Sequence, residues 1–202
     1  MSQEKIIDLF QSSGAIIQKT HVIYTSGLHG NAYVNKDAIY PDTETTSRLC
    51  ELLAERFSRD NVETVVGPTV GAVILSQWTA HHLRRISQKR VASIYAEKVD
   101  GGFEIRRGYD RLVAQKRVLV VEDVITTGGS VKKVMSEVNR WGGEIVGVAA
   151  LCNRGGVSAS DLGASRLEAL LNITLQSWPA VQCPLCAQGV PVNTSIGKGM
   201  AP

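Results

Sequence analysis

VLVVEDVITTGGS, residues 118–130, runs from four apolar residues through two acids into a small-residue loop. Residues 118–121 are apolar at every position, which suits a strand buried on both faces at the centre of a parallel sheet. Gly128 and Gly129 let the backbone approach a ligand and adopt positive φ. Thr126, Thr127 and Ser130 add hydroxyls, and Ser130 is placed to cap the helix that follows. A helix N-terminus brings unpaired N–H groups and a favourable dipole, so the loop suits a phosphate monoester. No Gly-Lys-Ser/Thr follows, which excludes a Walker A loop, and the glycine spacing is not that of a dinucleotide site. Glu122 and Asp123 are neighbours at a strand end, so their side chains diverge. That arrangement is poor for the facing acid/base pair of a glycosidase and good for holding adjacent sugar hydroxyls above a bound 5-phosphate.

The flanking sequence extends the pattern in both directions. Val131, Val134, Met135, Val138 and Trp141 recur at helical spacing, Gly142 and Gly143 end that helix, and EIVGVAALC (144–152) is the next strand. RVASIYA (90–96) and VETVV (62–66) read as strands, the latter stopping at Gly67-Pro68. GAVILSQWTAHHL (71–83) reads as a mostly buried helix. TETTSRLCELLAERFS (43–58) reads as a helix opened by Thr and Ser caps, with Leu49, Leu52, Leu53 and Phe57 on one face. The alternation predicts βαβ units, and so an α/β fold with a central, mostly parallel sheet flanked by helices. Residues 14–40 and 155–202 break the rhythm. Ligands of such folds sit beyond the carboxyl ends of the strands, and the two irregular ends are material for a small hood over that edge. The expected organisation is one domain over 1–202, with a core of about 41–154 and a hood from about 1–40 and 155–202.

Composition narrows the function classes. The chain has 202 residues, 44% of them hydrophobic, which suits one domain with a real core and excludes a disordered chain. A net charge of +3 without clustering argues against a nucleic-acid partner. No apolar run reaches the roughly 18 residues of a membrane span. MSQEKIIDLF lacks the basic and apolar regions of a signal peptide. Four cysteines (Cys50, Cys152, Cys183 and Cys186) are not a disulfide framework. A soluble cytoplasmic protein without nucleic-acid or membrane partners is expected.

The 118–130 stretch resembles the phosphoribosyl pyrophosphate-binding motif of type I phosphoribosyltransferases. The likeness covers most of the chain and is nearest to the orotate phosphoribosyltransferases. It implies the type I fold and transfer of phosphoribosyl from 5-phosphoribosyl 1-diphosphate (PRPP) to orotate, giving orotidine 5'-phosphate and diphosphate in pyrimidine nucleotide biosynthesis. It also implies Mg²⁺ held through PRPP with no direct protein ligand, and a homodimer with a shared active site.

The same resemblance assigns roles. Glu122 and Asp123 would hold the ribose hydroxyls, with Asp123 also catalytic. Val124, Ile125, Thr126, Thr127, Gly128, Gly129 and Ser130 would hold the 5-phosphate, with Thr126 near the base. Gly67, Pro68, Thr69, Val70 and Gly71, between a strand and a helix, are similar to the family's pyrophosphate loop. AEKVDGGFEIRRGYDRL (96–112) resembles the mobile catalytic loop. Lys98, the leading candidate there, with Arg106, Arg107 and Arg111, would bring positive charge to the departing pyrophosphate and exclude water. YTSGLHGNAYVNKD (24–37) resembles the segment that lies over the base, with Tyr33 and Val34 at contacting positions. Asn153-Arg154 stands where the family commonly has Asp-Arg, so Arg154 would offer its planar donor fork to a carboxylate. Two positions depart from the pattern: Thr25 and Val70 stand where many members carry Lys. Lys36 is placed to compensate for the first. The alternatives are a purine base, adenine or xanthine, and a non-enzymatic regulator of the same fold.

Cys183-Pro-Leu-Cys186 is a single C-x-x-C, whereas structural zinc takes four ligands, usually from two such pairs. Cys50 and Cys152 fall on elements expected to be buried. The tail motif therefore reads as a tight turn with reduced thiols, with a redox pair or a metal site shared across a dimer as alternatives. His81 and His82 point about 100° apart on a helix and are not joint ligands. Trp78 and Trp141 are expected in packing positions.

Overall fold

The structure, a computed structural model, describes residues 3–24 and 26–196; Thr25 lies outside them. In chain order the elements begin with α1 (Gln3–Ser12), β1 (Ile16–Ile23), β2 (His29–Val34), α2 (Thr43–Arg56), β3 (Thr64–Pro68), α3 (Gly71–Ser87), β4 (Ala92–Val99) and β5 (Gly102–Glu104). They continue with β6 (Arg117–Ile125), α4 (Gly129–Arg140), β7 (Glu144–Asn153), α5 (Ala159–Leu162), β8 (Leu167–Asn172), β9 (Ser177–Trp178) and α6 (Pro184–Ala187). Six strands form the main sheet in the order β5-β4-β3-β6-β7-β8. All neighbours are parallel except the β4–β5 pair at one edge. This is the α/β architecture expected from the strand–helix alternation.

β6 lies in the middle of the sheet, and its alternation divides the core. Val118 and Val120 pack with Val131, Val134 and Val138 of α4 on one face. Leu119 and Val121 pack on the other with residues of α1, α2 and α3, including Phe10, Leu53 and Leu75. Burying each such side chain is worth roughly 1.5–3 kcal/mol, so a one-residue slip of β6 would exchange both sets of contacts at once.

Several local expectations change. β6 runs through both acids to Ile125, and β3 includes Gly67 and Pro68. Asp42, not a Thr or Ser, caps α2, its carboxylate accepting the N–H groups of Glu44 and Thr45. Gly128, at φ 74°, is the N-cap of α4, and Ser130 lies inside the helix. Trp141 falls just beyond α4, 37% exposed, with the Arg140 guanidinium over its ring.

A second sheet, β1-β2-β9, forms the hood. It is narrower than residues 1–40 and 155–202. β8 belongs to the main sheet, and α1 buries Ile6 and Phe10 in the core while Gln3 donates to the Leu170 carbonyl. What remains over the strand ends is the β1–β2 hairpin, the segment after β8 and the tail.

Candidate active site

The site grows from the carboxyl end of β6. Because successive side chains of a strand point to opposite faces, Glu122 follows Val118 and Val120 towards α4, and Asp123 turns towards the hood. Glu122 lines a cavity of about 150 Å³ closed by residues 124–131. Asp123 lines a second cavity, of about 200 Å³, with Tyr24, Tyr33, Val34, Lys36, Val124, Thr126 and Arg154. Val124 and Thr126 line both, so the two compartments adjoin.

The first compartment is built for an anion. The opening N–H groups of α4 have no intrahelical acceptor, and the positive end of its dipole faces the cavity. Gly128 makes this turn possible: its backbone is left-handed, and a Cβ there would stand 2.3 Å from the Leu162 side chain. Burial first, then the adjacent Asp123 charge, push the Glu122 carboxyl well above the usual carboxylate range.

The second compartment mixes an aromatic wall with cations. Arg154 donates to Thr126 Oγ1 at 3.1 Å, and its guanidinium lies 5.4 Å from the centre of the Tyr24 ring. Tyr24 folds flat onto β2, donating its hydroxyl to the Ala32 carbonyl at 2.6 Å. Only glycine allows that approach, because a Cβ on Gly30 would stand 2.2 Å from the phenol oxygen. Lys36 Nζ lies 2.6 Å from Asp123 Oδ2. Burial works against the Lys36 charge, but Asp123 outweighs it and holds the ammonium above its usual value. Tyr40, half-buried and facing the same carboxylate, is also raised by burial and by that charge.

The 67–71 segment meets this point from the adjoining strand. A Cβ on Gly71 would lie 2.0 Å from Asp123 Oδ2 and 2.8 Å from Lys36 Nζ. Thr69 Oγ1 accepts the Lys98 N–H at 2.9 Å, linking this loop to β4, and Val70 is 85% exposed. Residues 96–112 form a hairpin over β4 and β5 followed by a short 3-10 turn. Arg106 pairs with Glu104 and Arg107 with Glu97 inside this segment, while Lys98 has no ion pair among the described residues.

The structure thus brings residues 122–131, Tyr33, Val34 and Arg154 to one strand edge, with 67–71 beside them. Tyr24, Lys36 and Tyr40 join them: Tyr24 opens the 24–37 segment without being singled out in it, Lys36 was expected in another role, and Tyr40 was not expected. Tyr24 carries no motif of its own; its signal is the glycine six residues on, across the hairpin.

The phosphoribosyl transferase domain family model matches residues 37–162. Orotate phosphoribosyltransferases from Desulforamulus reducens and Pelotomaculum thermopropionicum are 40% and 39% identical to this chain, over 95% of each sequence. The chain belongs to the orotate phosphoribosyltransferase family. In fold it is also similar to the crystal structure of the Mycobacterium tuberculosis orotate phosphoribosyltransferase in complex with Fe(III) dicitrate. That likeness has a TM-score of 0.68 at 24% identity and covers 84% of this chain and 95% of that one. An adenine phosphoribosyl transferase from Trypanosoma brucei shares the fold at a TM-score of 0.61 and 14% identity, over 84% and 79% of the two chains. The fold alone therefore does not distinguish the two families.

Proposed function

We propose that this protein transfers the phosphoribosyl group of PRPP to orotate, giving orotidine 5'-phosphate and diphosphate. The observation that carries this reading is the adjoining pair of compartments: an anion cradle at the start of α4 and, sharing Val124 and Thr126 with it, a cationic aromatic pocket under the hood. Family membership supports the choice of base, and so does the chemistry of the pocket. Orotate is a flat ring with a carboxylate. Tyr24 offers it a face, and Arg154, pinned by Thr126, offers parallel donors.

In this reading residues 124–130 hold the 5-phosphate, and Glu122 and Asp123 accept from the ribose hydroxyls. The 67–71 loop receives the diphosphate. The base nitrogen attacks C1 of the ribose as the bond to the diphosphate oxygen breaks, through an oxocarbenium-like state; diphosphate leaves with the bonding pair, and the nitrogen's proton passes to diphosphate or to solvent. The chain supplies position and charge, with no covalent enzyme intermediate. Lys98, on the hairpin edge, brings a cation to the leaving group when the hairpin closes.

Asp123 is already paired with Lys36 and the raised Glu122 carboxyl favours its neutral form, so Mg²⁺ would be held through PRPP with no direct protein ligand. Bound through the oxygens of PRPP, Mg²⁺ would neutralise charge developing on the diphosphate. A homodimer with a shared active site and a cytoplasmic setting complete the reading. Among the described residues no helix is long and apolar enough to cross a membrane.

Product binding tests the two-compartment geometry. In calorimetric titrations, orotidine 5'-phosphate should bind at least about tenfold tighter than ribose 5-phosphate, because it fills both cavities. Adenosine monophosphate should bind no tighter than ribose 5-phosphate. Tighter binding of the purine nucleotide would overturn the choice of orotate.

A further inference from the structure

The C-x-x-C of the tail is not isolated. The tail folds back along the hood, where the Asn193 N–H donates to the His21 carbonyl at 2.7 Å. Cys183 Sγ and Cys186 Sγ then lie 3.6 and 3.7 Å from His21 Nε2, and Cys186 Sγ lies 3.3 Å from His29 Nδ1. The two ring nitrogens are 2.8 Å apart. All four donor atoms fall within 4.8 Å of one another, and His21, His29 and Cys183 are buried.

We propose that His21, His29, Cys183 and Cys186 form a tetrahedral zinc site that clamps the C-terminal tail to the hood. The donor set, two thiolates and two imidazoles, is one that zinc favours. Zinc–ligand bonds of about 2.3 Å to sulfur and 2.0–2.1 Å to nitrogen put tetrahedral S···N separations near 3.5 Å. Three of the four S···N separations, 3.3, 3.6 and 3.7 Å, lie on either side of that value, and the fourth, Cys183 Sγ to His29 Nδ1, is within 4.8 Å. The ring nitrogens have to part by roughly 0.5 Å to match the corresponding N···N separation.

A supporting contact fixes the first ligand. His21 Nδ1 lies 2.7 Å from the Val190 carbonyl, which can only accept. Nδ1 therefore carries the proton, and the Nε2 lone pair faces the cluster, the usual outer-sphere arrangement of a metal-bound histidine. Four protein ligands leave no open position, so the site is structural and not catalytic. A redox dithiol would need only the two cysteines. It would give no reason for two buried imidazoles to converge on the same point.

The clamp bears on the base compartment. His21 lies on β1 and His29 on β2, bracketing the turn that begins at Tyr24, and Tyr24 packs against Arg154. Fixing the hairpin to the tail holds that aromatic wall in place. The site therefore goes beyond the transferase reading and does not depend on it.

Metal analysis of the full-length chain, purified without chelators or a histidine tag, tests the site. One zinc per chain is expected by plasma mass spectrometry. Metal-free protein titrated with Co²⁺ should develop thiolate-to-cobalt charge-transfer bands and intense tetrahedral d–d bands. Cys186→Ser, which alters the exposed ligand, should lose most of the zinc and melt at lower temperature. If that variant fails to fold, the cobalt spectrum of the unmodified chain still decides. Less than about a tenth of an equivalent of zinc, with no thiolate–cobalt band, would overturn the site. A thiol titration then separates a reduced turn from a disulfide.

Discussion

Lys36 and Asp123, 87 residues apart in sequence, meet at 2.6 Å where the hood touches the edge of the main sheet. Lys36 follows the hood strand β2, and Asp123 belongs to the central strand β6. Gly71, which opens α3, lies against both. β6, the 67–71 loop and the compartment under the hood therefore meet at one ion pair.

Replacing Lys36 by Met leaves the buried Asp123 without its ammonium. An orphaned buried acceptor of this kind costs on the order of 1–3 kcal/mol, a melting temperature lower by several degrees. We expect kcat/KM to fall by about tenfold or more. Calorimetry and steady-state kinetics on Lys36→Met measure both, and wild-type values for both would remove the pair from the account.

Gly71→Ala separates packing from propensity. Alanine is the better helix former, by up to about 1 kcal/mol in a helix interior, yet at Gly71, the first residue of α3, its Cβ would lie 2.0 Å from Asp123 Oδ2. Misplacement of such a group by an ångström costs about a hundredfold in rate. The expected outcome is a folded protein with about a hundredfold lower kcat/KM for PRPP. Full activity would mean that Asp123 is not held where the chemistry needs it.

Arg154→Ala should raise the KM for orotate by about tenfold to a hundredfold, with the KM for PRPP little changed. Arg154→Lys should not restore it, because a single ammonium cannot reproduce the two parallel donors. Restoration by lysine would reduce Arg154 to a diffuse positive charge.

Lys98 is exposed and unpaired among the described residues, so its removal should leave the melting temperature unchanged. Its expected effect is on kcat, lower by about 10²–10³ if it meets the developing charge of the diphosphate. An unchanged kcat would exclude it from the mechanism.

Glu122 predicts a pH dependence of stability. Burial and Asp123 raise its folded pKa above the ordinary value of 4.5. Above that value the folded chain holds a proton that the unfolded chain has lost, so stability falls as pH rises towards the folded pKa. Glu122→Gln removes this contribution. Its melting temperature should decline less than that of the wild type between about pH 5 and about pH 8. Parallel melting curves across that range would contradict the raised pKa.

Much of the fold was legible because residues 118–121 of β6 are apolar at every position, which suits a strand buried on both faces. The acids at its end and the glycines after it marked the anion compartment for the same local reasons. Helix ends were less legible. Gly128 enters the left-handed region before Ser130 can act as a cap, and α4 stops at Arg140, leaving Trp141 outside the stripe its spacing suggested.

The parts that were missed depend on distant chain segments. Tyr24 becomes a wall of the compartment under the hood only because Gly30 lets it lie flat. Lys36 finds its partner on β6. The tail cysteines read as a tight turn with reduced thiols because the two histidines beside them lie at the other end of the chain, on a hairpin whose pairing brings His21 and His29 together.

The most direct test of the central claim is turnover: protein, PRPP and Mg²⁺ with orotate, followed by the loss of orotate absorbance, with adenine, xanthine and uracil assayed in parallel. The account predicts rapid loss with orotate, one diphosphate released per orotate consumed, and no reaction with the other bases. Turnover of a purine in place of orotate, or no turnover of any base, would contradict it.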